Sequence, residues 1–128
     1  MSYFDMSDVE ANRILNALPT LYVGLSSTYP GLDGSNITEP AQSDYVRPAV
    51  SLAAAASRQR VSNALADFIN GGGNAAASAG SFPYAFLISA SSGGTLRYRC
   101  ILSLPVAWVV GLPVEIASGQ ITIGFPSS

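Results

Sequence analysis

Between Leu21 and Val50 two β-prone runs enclose a loop made almost wholly of turn-forming residues. The first run, residues 20–26, is strand-like; the loop then carries Pro30, Gly31, Asp33, Gly34, Ser35 and Asn36 and ends near Pro40. Asp33-Gly34 suits a tight turn, and Glu39 before Pro40 forces an extended exit. Residues 45–52 read as a second strand, with Pro48 marking an edge or a strand beginning because proline cannot donate to a ladder. Tyr45 is expected to anchor that strand, its ring buried and its hydroxyl wet. Strand, turn-rich loop, strand is a scaffold that needs no substrate to explain it.

The rest of the chain keeps that character. Ser7 and Glu10 form a capping-box pattern, Ala11, Ile14, Leu15 and Leu18 then share one helical face, and Pro19 discourages continuation. A short amphipathic helix of about three turns follows from this spacing. Residues 53–56 are four alanines, good helix formers, read here as a loop entering residues 60–62; residues 65–69 read as a strand, followed by a turn at Gly71, Gly72, Gly73 and Asn74. Residues 82–90 and 95–102 flank Ser91-Ser92-Gly93-Gly94, a hairpin signature. Short apolar pieces at 108–110 and 114–116 and a closing strand at 121–125 complete the pattern. Many short strands with frequent turns predict a mainly β fold, a single β-sandwich, jelly-roll-like or barrel domain with a short N-terminal helix. The boundary falls after Leu18, giving a helical arm over residues 1–18 and a β domain over 19–128.

The length of 128 residues suits one such domain and no second one. Net charge is −2 with six arginines and no lysine or histidine, so the basic field that drives nucleic-acid binding is absent. Only 11% of residues are charged and 48% are hydrophobic, against about 25% charged in an ordinary soluble domain. A surface so poor in charge predicts that another chain covers part of it, in a symmetric dimer or trimer of the protein's own copies. The candidate contacts are Ile14, Leu15 and Leu18 on the helix, the aromatics Tyr29, Tyr84 and Trp108, and Arg97 with Arg99, which share one strand face and suit a neighbour's carboxylate. The acidic N-terminus is unlike a signal or transit peptide. The longest apolar stretch, 104–114, is broken by Pro105, Gly111 and Pro113 and is far short of a membrane span.

Most catalytic readings fail on residue type. Zinc and transition-metal sites need clusters of histidine and cysteine, and the chain has Cys100 alone. That cysteine lies in a strand-like run and is expected in the core, with no histidine to activate it. Serine nucleophiles lack a histidine or lysine base, and the glycines at 71–73 lack the lysine of a phosphate loop. Asp33, Glu39 and Asp44 do not have calcium-loop spacing and read as turn-formers. Asp67 and Glu115 remain as the carboxylates able to pair in a cleft, the one enzymatic rival. The expectation is no enzyme, no cofactor and no metal.

The order Leu21-Tyr22-Val23-Gly24-Leu25-Ser26, Pro30-Gly31-Leu32-Asp33-Gly34, Thr38-Glu39-Pro40 and Tyr45-Val46-Arg47-Pro48-Ala49-Val50 resembles a family of small phage structural proteins, labelled tail fibre or head decoration proteins. The likeness extends through Phe86 to Leu96 and to Gly119–Ile123. It implies a virion structural protein. The first expectation is a capsid decoration or cement protein, assembled in the host cytoplasm and binding the major capsid protein and its own copies at the capsid surface. The alternative is a tail-fibre or tail-associated component that binds a host surface glycan through exposed aromatics.

Overall fold

The computed structural model describes residue 2, residues 4–70 and residues 73–125. One helix, α1 (Asp8–Asn16), precedes seven strands: β1 (Tyr22–Ser26), β2 (Gln59–Val61), β3 (Ala66–Asp67), β4 (Gly80–Ile88), β5 (Leu96–Trp108), β6 (Glu115–Ile116) and β7 (Thr122–Gly124). All pairings are antiparallel, in a three-stranded sheet of order β1-β4-β5 and two short pairs, β2-β7 and β3-β6. The fold is mainly β, as the turn spacing predicts, but the described strands close no barrel.

The core lies between the three-stranded sheet and the short pairs. Val23, Leu25, Ala85 and Leu87 supply one side, while Ala66, Phe68, Val114, Ile116 and Ile123 supply the other. On the opposite face of the sheet the Phe86 ring lies flat against Gly24: a β-carbon at Gly24 would stand 2.2 Å from Phe86 Cζ. Glycine is required there by space, since its own conformation is ordinary.

Residues 45–52 do not form a regular strand. They run extended between elements, touching β1 through Tyr22↔Ala49, with Val23 N–H donating to Pro48 O and Val50 N–H to Leu21 O. On their other side Val46 N–H donates to Phe68 O, and Leu52 bridges Ser62. Pro48 has no N–H to offer, so pairing comes in isolated steps. The expected strand at 65–69 shrinks similarly to Ala66–Asp67. The expected hairpin is present, and its second strand runs further than expected, through Pro105 to Trp108. Two bulges make this feasible, one at Arg97 and a wide one over residues 102–105 opposite Pro83. Of the glycine turn expected at 71–74, Gly71 and Gly72 lie outside the described residues.

Helix α1 packs onto other elements of this chain. Ser7 Oγ accepts from Glu10 N–H at 3.1 Å as expected, but the Glu10 carboxylate pairs with Arg13 instead of reaching back. Ala11 and Leu15 are buried, and Leu15 belongs to the core. Asn12 Oδ1 accepts from Arg58 N–H at 3.0 Å, Asn16 Oδ1 from Ala55 N–H at 2.8 Å, and Arg60 donates to Leu15 O at 3.0 Å. The helix covers a two-residue turn in which Ser57 and Arg58 both take positive φ, 51° and 66°. Side chains larger than glycine cost about 1–2 kcal/mol each in that region, and the contacts from α1 offset the cost. Residues 53–56 are a loop, as expected, because Arg60 draws the Leu52 and Ala53 carbonyls toward itself.

Two substitutions test this packing by chemical denaturation. Leu15→Ala is expected to lower stability by about 2–5 kcal/mol, the range for a buried leucine; an arm residue would show almost none. Gly24→Ala is expected to cost about 1–3 kcal/mol through displacement of Phe86.

Candidate functional site

The long loop is welded to the sheet by a charged clasp. Glu39 leaves the loop just before the buried Pro40, and Tyr45 and Arg47, two residues apart on an extended segment, lie on one side of it and meet the carboxylate together. Arg47 donates two parallel bonds, Nε to Oε1 at 2.8 Å and Nη2 to Oε2 at 2.9 Å. Tyr45 hydroxyl donates to Oε1 at 2.6 Å and accepts from the Leu25 N–H of β1 at 3.2 Å. The hydroxyl is therefore held in the protein and not left wet. Arg47 Nη1 donates on to Ala90 O and Gly93 O in the β4–β5 connection, and its guanidinium lies 5.4 Å from the centre of the Phe86 ring.

Electrostatics follow from this geometry. Burial pushes the Glu39 carboxyl up, but the bonds from Arg47 and Tyr45 outweigh it and leave its pKa below the ordinary value. Burial first, then the Glu39 carboxylate, hold the Tyr45 phenol well above its usual range. Its ring packs among Phe68 and Trp108, with centroids 6.5 and 6.0 Å away. The site joins the loop, the sheet and the core through one hydrogen-bonded carboxylate.

The loop itself is internally bonded. Buried Ser26 Oγ donates to Thr28 O at 2.6 Å and accepts from the N–H groups of Thr28 and Thr38. Asp33 accepts from Ser35 N–H and Oγ, which lowers the Asp33 pKa, and Gly34 N–H donates to Gly31 O, closing the expected tight turn with φ +84° at Gly34.

The residues anticipated as contacts separate into three groups. Trp108 is fully buried and Leu15 almost so; both serve this chain's own core and offer nothing to a neighbour. Ile14 and Leu18 are half-buried on α1, with Leu18 packed against the core. Tyr29 and Tyr84 stack on each other at 5.2 Å, and Arg99 caps Tyr29 at 4.2 Å while donating to Pro30 O at 2.8 Å. Arg99 thus fastens its own loop, and Arg97 is exposed. Tyr29 remains 37% exposed.

The sequence reading reached the outer part of β5 only through Tyr98, Arg97 and Arg99, and missed its exposed aliphatic residues. This strand ends the sheet, and Tyr98, Ile101 and Leu104 are exposed along it, the last two at 66% and 80%. Cys100 is exposed as well, contrary to the core position expected of it, because β5 is an edge strand whose core-side face is left partly uncovered. A groove of about 420 Å³ lies there between β5 and β7, lined by Tyr98, Cys100, Leu102, Ile121 and Ile123 among others. Partial burial raises the Cys100 pKa, so it is a poor nucleophile. The available signal was the alternation at 98–104, which sets apolar residues on both faces, more than one core can take.

The carboxylates do not assemble a metal site among the described residues. Asp67 and Glu115 stand opposite each other across the β3–β6 pair, but Asp67 accepts from Ile69 N–H at 3.0 Å and neither residue lines the β5–β7 groove. Asp44 accepts from Ala76 N–H. No described helix is long and apolar enough to cross a membrane.

The clasp has a pH signature. Because the folded pKa of Glu39 is lowered, its contribution is fully present above the ordinary value of 4.5 and disappears as pH falls through the lower folded value. Glu39→Gln is expected to cost about 2 kcal/mol at neutral pH and to flatten the acid limb of stability, measured by urea melts from pH 7 to 3. An unchanged acid limb would show that Glu39 carries no such coupling.

No curated protein matches the chain. A family model described as "Podophage GP4 fiber I protein gp80" matches residues 5–124, nearly the whole sequence. That match takes in the clasp, the loop and the β5 edge alike, and with it the chain belongs to the podophage fiber I family, as a structural protein of the phage virion.

Proposed function

We propose that the protein is a non-catalytic building block of the podophage fibre apparatus, held in the particle by contacts between subunits. The family match over residues 5–124 carries this reading, since the family is described by a fibre protein. Physical features of the chain support it. Its ionic side chains are largely spent internally: Arg47 on Glu39, Arg60 on backbone carbonyls, Arg99 on the loop. The surface left over is rich in apolar side chains along one strand edge, suited to protein contact. The aromatics once suited to glycan binding are engaged with each other or buried, so attachment to neighbouring subunits is favoured over direct receptor contact.

The capsid decoration role expected from the sequence has no feature of the fold in its favour that the fibre role lacks. Locating the chain on intact particles, by gold-labelled antibody or by reconstruction, separates the two. Density at the tail or its fibres is the expected result; density repeating over the capsid lattice would overturn the fibre role in favour of decoration.

A further inference from the structure

The groove between β5 and β7 reaches the core itself. Val23 and Leu87 of the sheet and Ile116 and Ile123 of the short pairs line it, and these four are at most 8% exposed. They form its floor, while the exposed Cys100 stands on its wall. Core side chains lying this close to solvent gain from a cover.

The chain holds a segment of suitable chemistry beside β7. Phe125 N–H donates to Arg58 O at 2.9 Å, and a β-carbon on Gly124 would stand 2.7 Å from the same carbonyl. Arg58 in turn donates through Nη1 to Met6 O at 2.6 Å. The segment entering α1 is therefore fixed at Met6, about one arginine side chain away from Gly124, which lines the groove. Phe4 lies two residues before this fixed point and is fully exposed, whereas the four other phenylalanines are buried or half-buried. Two extended residues span about 7 Å, and the phenyl ring adds its own length to that reach. Charge permits the movement: the groove's described walls hold no carboxylate, and their one charged residue is Arg99. Asp5 meets no like charge on the way in.

We propose that residues 4–6 form a strap, with Phe4 closing over the groove of its own chain and shielding the core where β5 leaves it uncovered. The structure shows the open position. Ordering two residues costs about as much as burying one phenyl ring returns, so both positions are populated and a small bias moves the strap. Any contact made on the groove then competes with Phe4. The strap belongs to the single chain and stands or falls apart from the protein's place in the particle.

Cys100, the only thiol, reports on the groove. In dilute solution, Phe4→Ser is expected to speed its reaction with a small disulfide reagent such as dithiobis(nitrobenzoate) at least twofold. Phe4→Leu, which restores an apolar cover, is expected to keep the rate of the unaltered chain. Because Phe4 is fully exposed in the open position, neither variant removes packing from the fold. In Phe4→Cys, mild oxidation is expected to join the new thiol to Cys100 within one chain, the two thiols losing two protons and two electrons to dissolved oxygen. Peptide mapping without reduction reads that link. An unchanged rate in Phe4→Ser, a Phe4→Leu rate equal to that of Phe4→Ser, or no internal disulfide in Phe4→Cys would overturn the proposal.

Discussion

The carboxylate of Glu39 receives Arg47 and Tyr45 together, and through them it joins the end of the long loop, the amide of Leu25 in β1 and two carbonyls of the β4–β5 connection. The packing of Phe86 on that side of the sheet depends on this joint. With Arg47 held, its guanidinium covers Phe86, Phe86 fills the space at Gly24, and β1 and β4 lie close enough for their ladder. With Tyr45 held, its ring takes its place between Phe68 and Trp108, which ties the clasp to the core on the other face. A paired, hydrogen-bonded charge of this kind contributes less to net stability than to having one arrangement only, because removing either member leaves the other poorly satisfied.

The same economy runs through the chain. Its few charges sit where irregular backbone must be held: Arg60 gathers the carbonyls of Leu15, Leu52 and Ala53, and Arg99 takes Pro30 O beneath the loop. Short strands and isolated bridges leave many backbone groups without ladder partners, and arginine's five donors meet them in several directions at once. The low charge of the surface is thus partly a consequence of how the interior is held together. It also leaves the outer edge of β5 apolar, which suits a protein that works by contact.

Much of this was legible beforehand, and for identifiable reasons. Ser7, Pro19, the Asp33-Gly34 turn and the Gly93-Gly94 connection act locally, so their residue types predict the helix, the loop and the hairpin. The joint at Glu39 was half legible: Tyr45 and Arg47 share a face of an extended segment, but nothing local says that Glu39 turns back to meet them. Trp108 and Cys100 exchange their expected places, Trp108 going to the core and Cys100 to the surface. Cys100 keeps the core-side face of β5, which the edge of the sheet leaves partly uncovered, while Trp108 reaches the core because β5 continues through its wide bulge past Pro105. The docking of α1 was hidden likewise, since its partners at residues 55–60 lie about 40 positions away and meet it only through a turn with two residues at positive φ.

The dependence of the sheet face on the Glu39 joint is measured most directly by a double-mutant cycle between Glu39→Gln and Arg47→Met in urea unfolding at neutral pH. A coupling of about 1.5–3 kcal/mol, the range for hydrogen bonds to charged groups, is the predicted result, with the double variant little worse than either single one. Additive losses would contradict it and show that the loop and the sheet are held independently of one another.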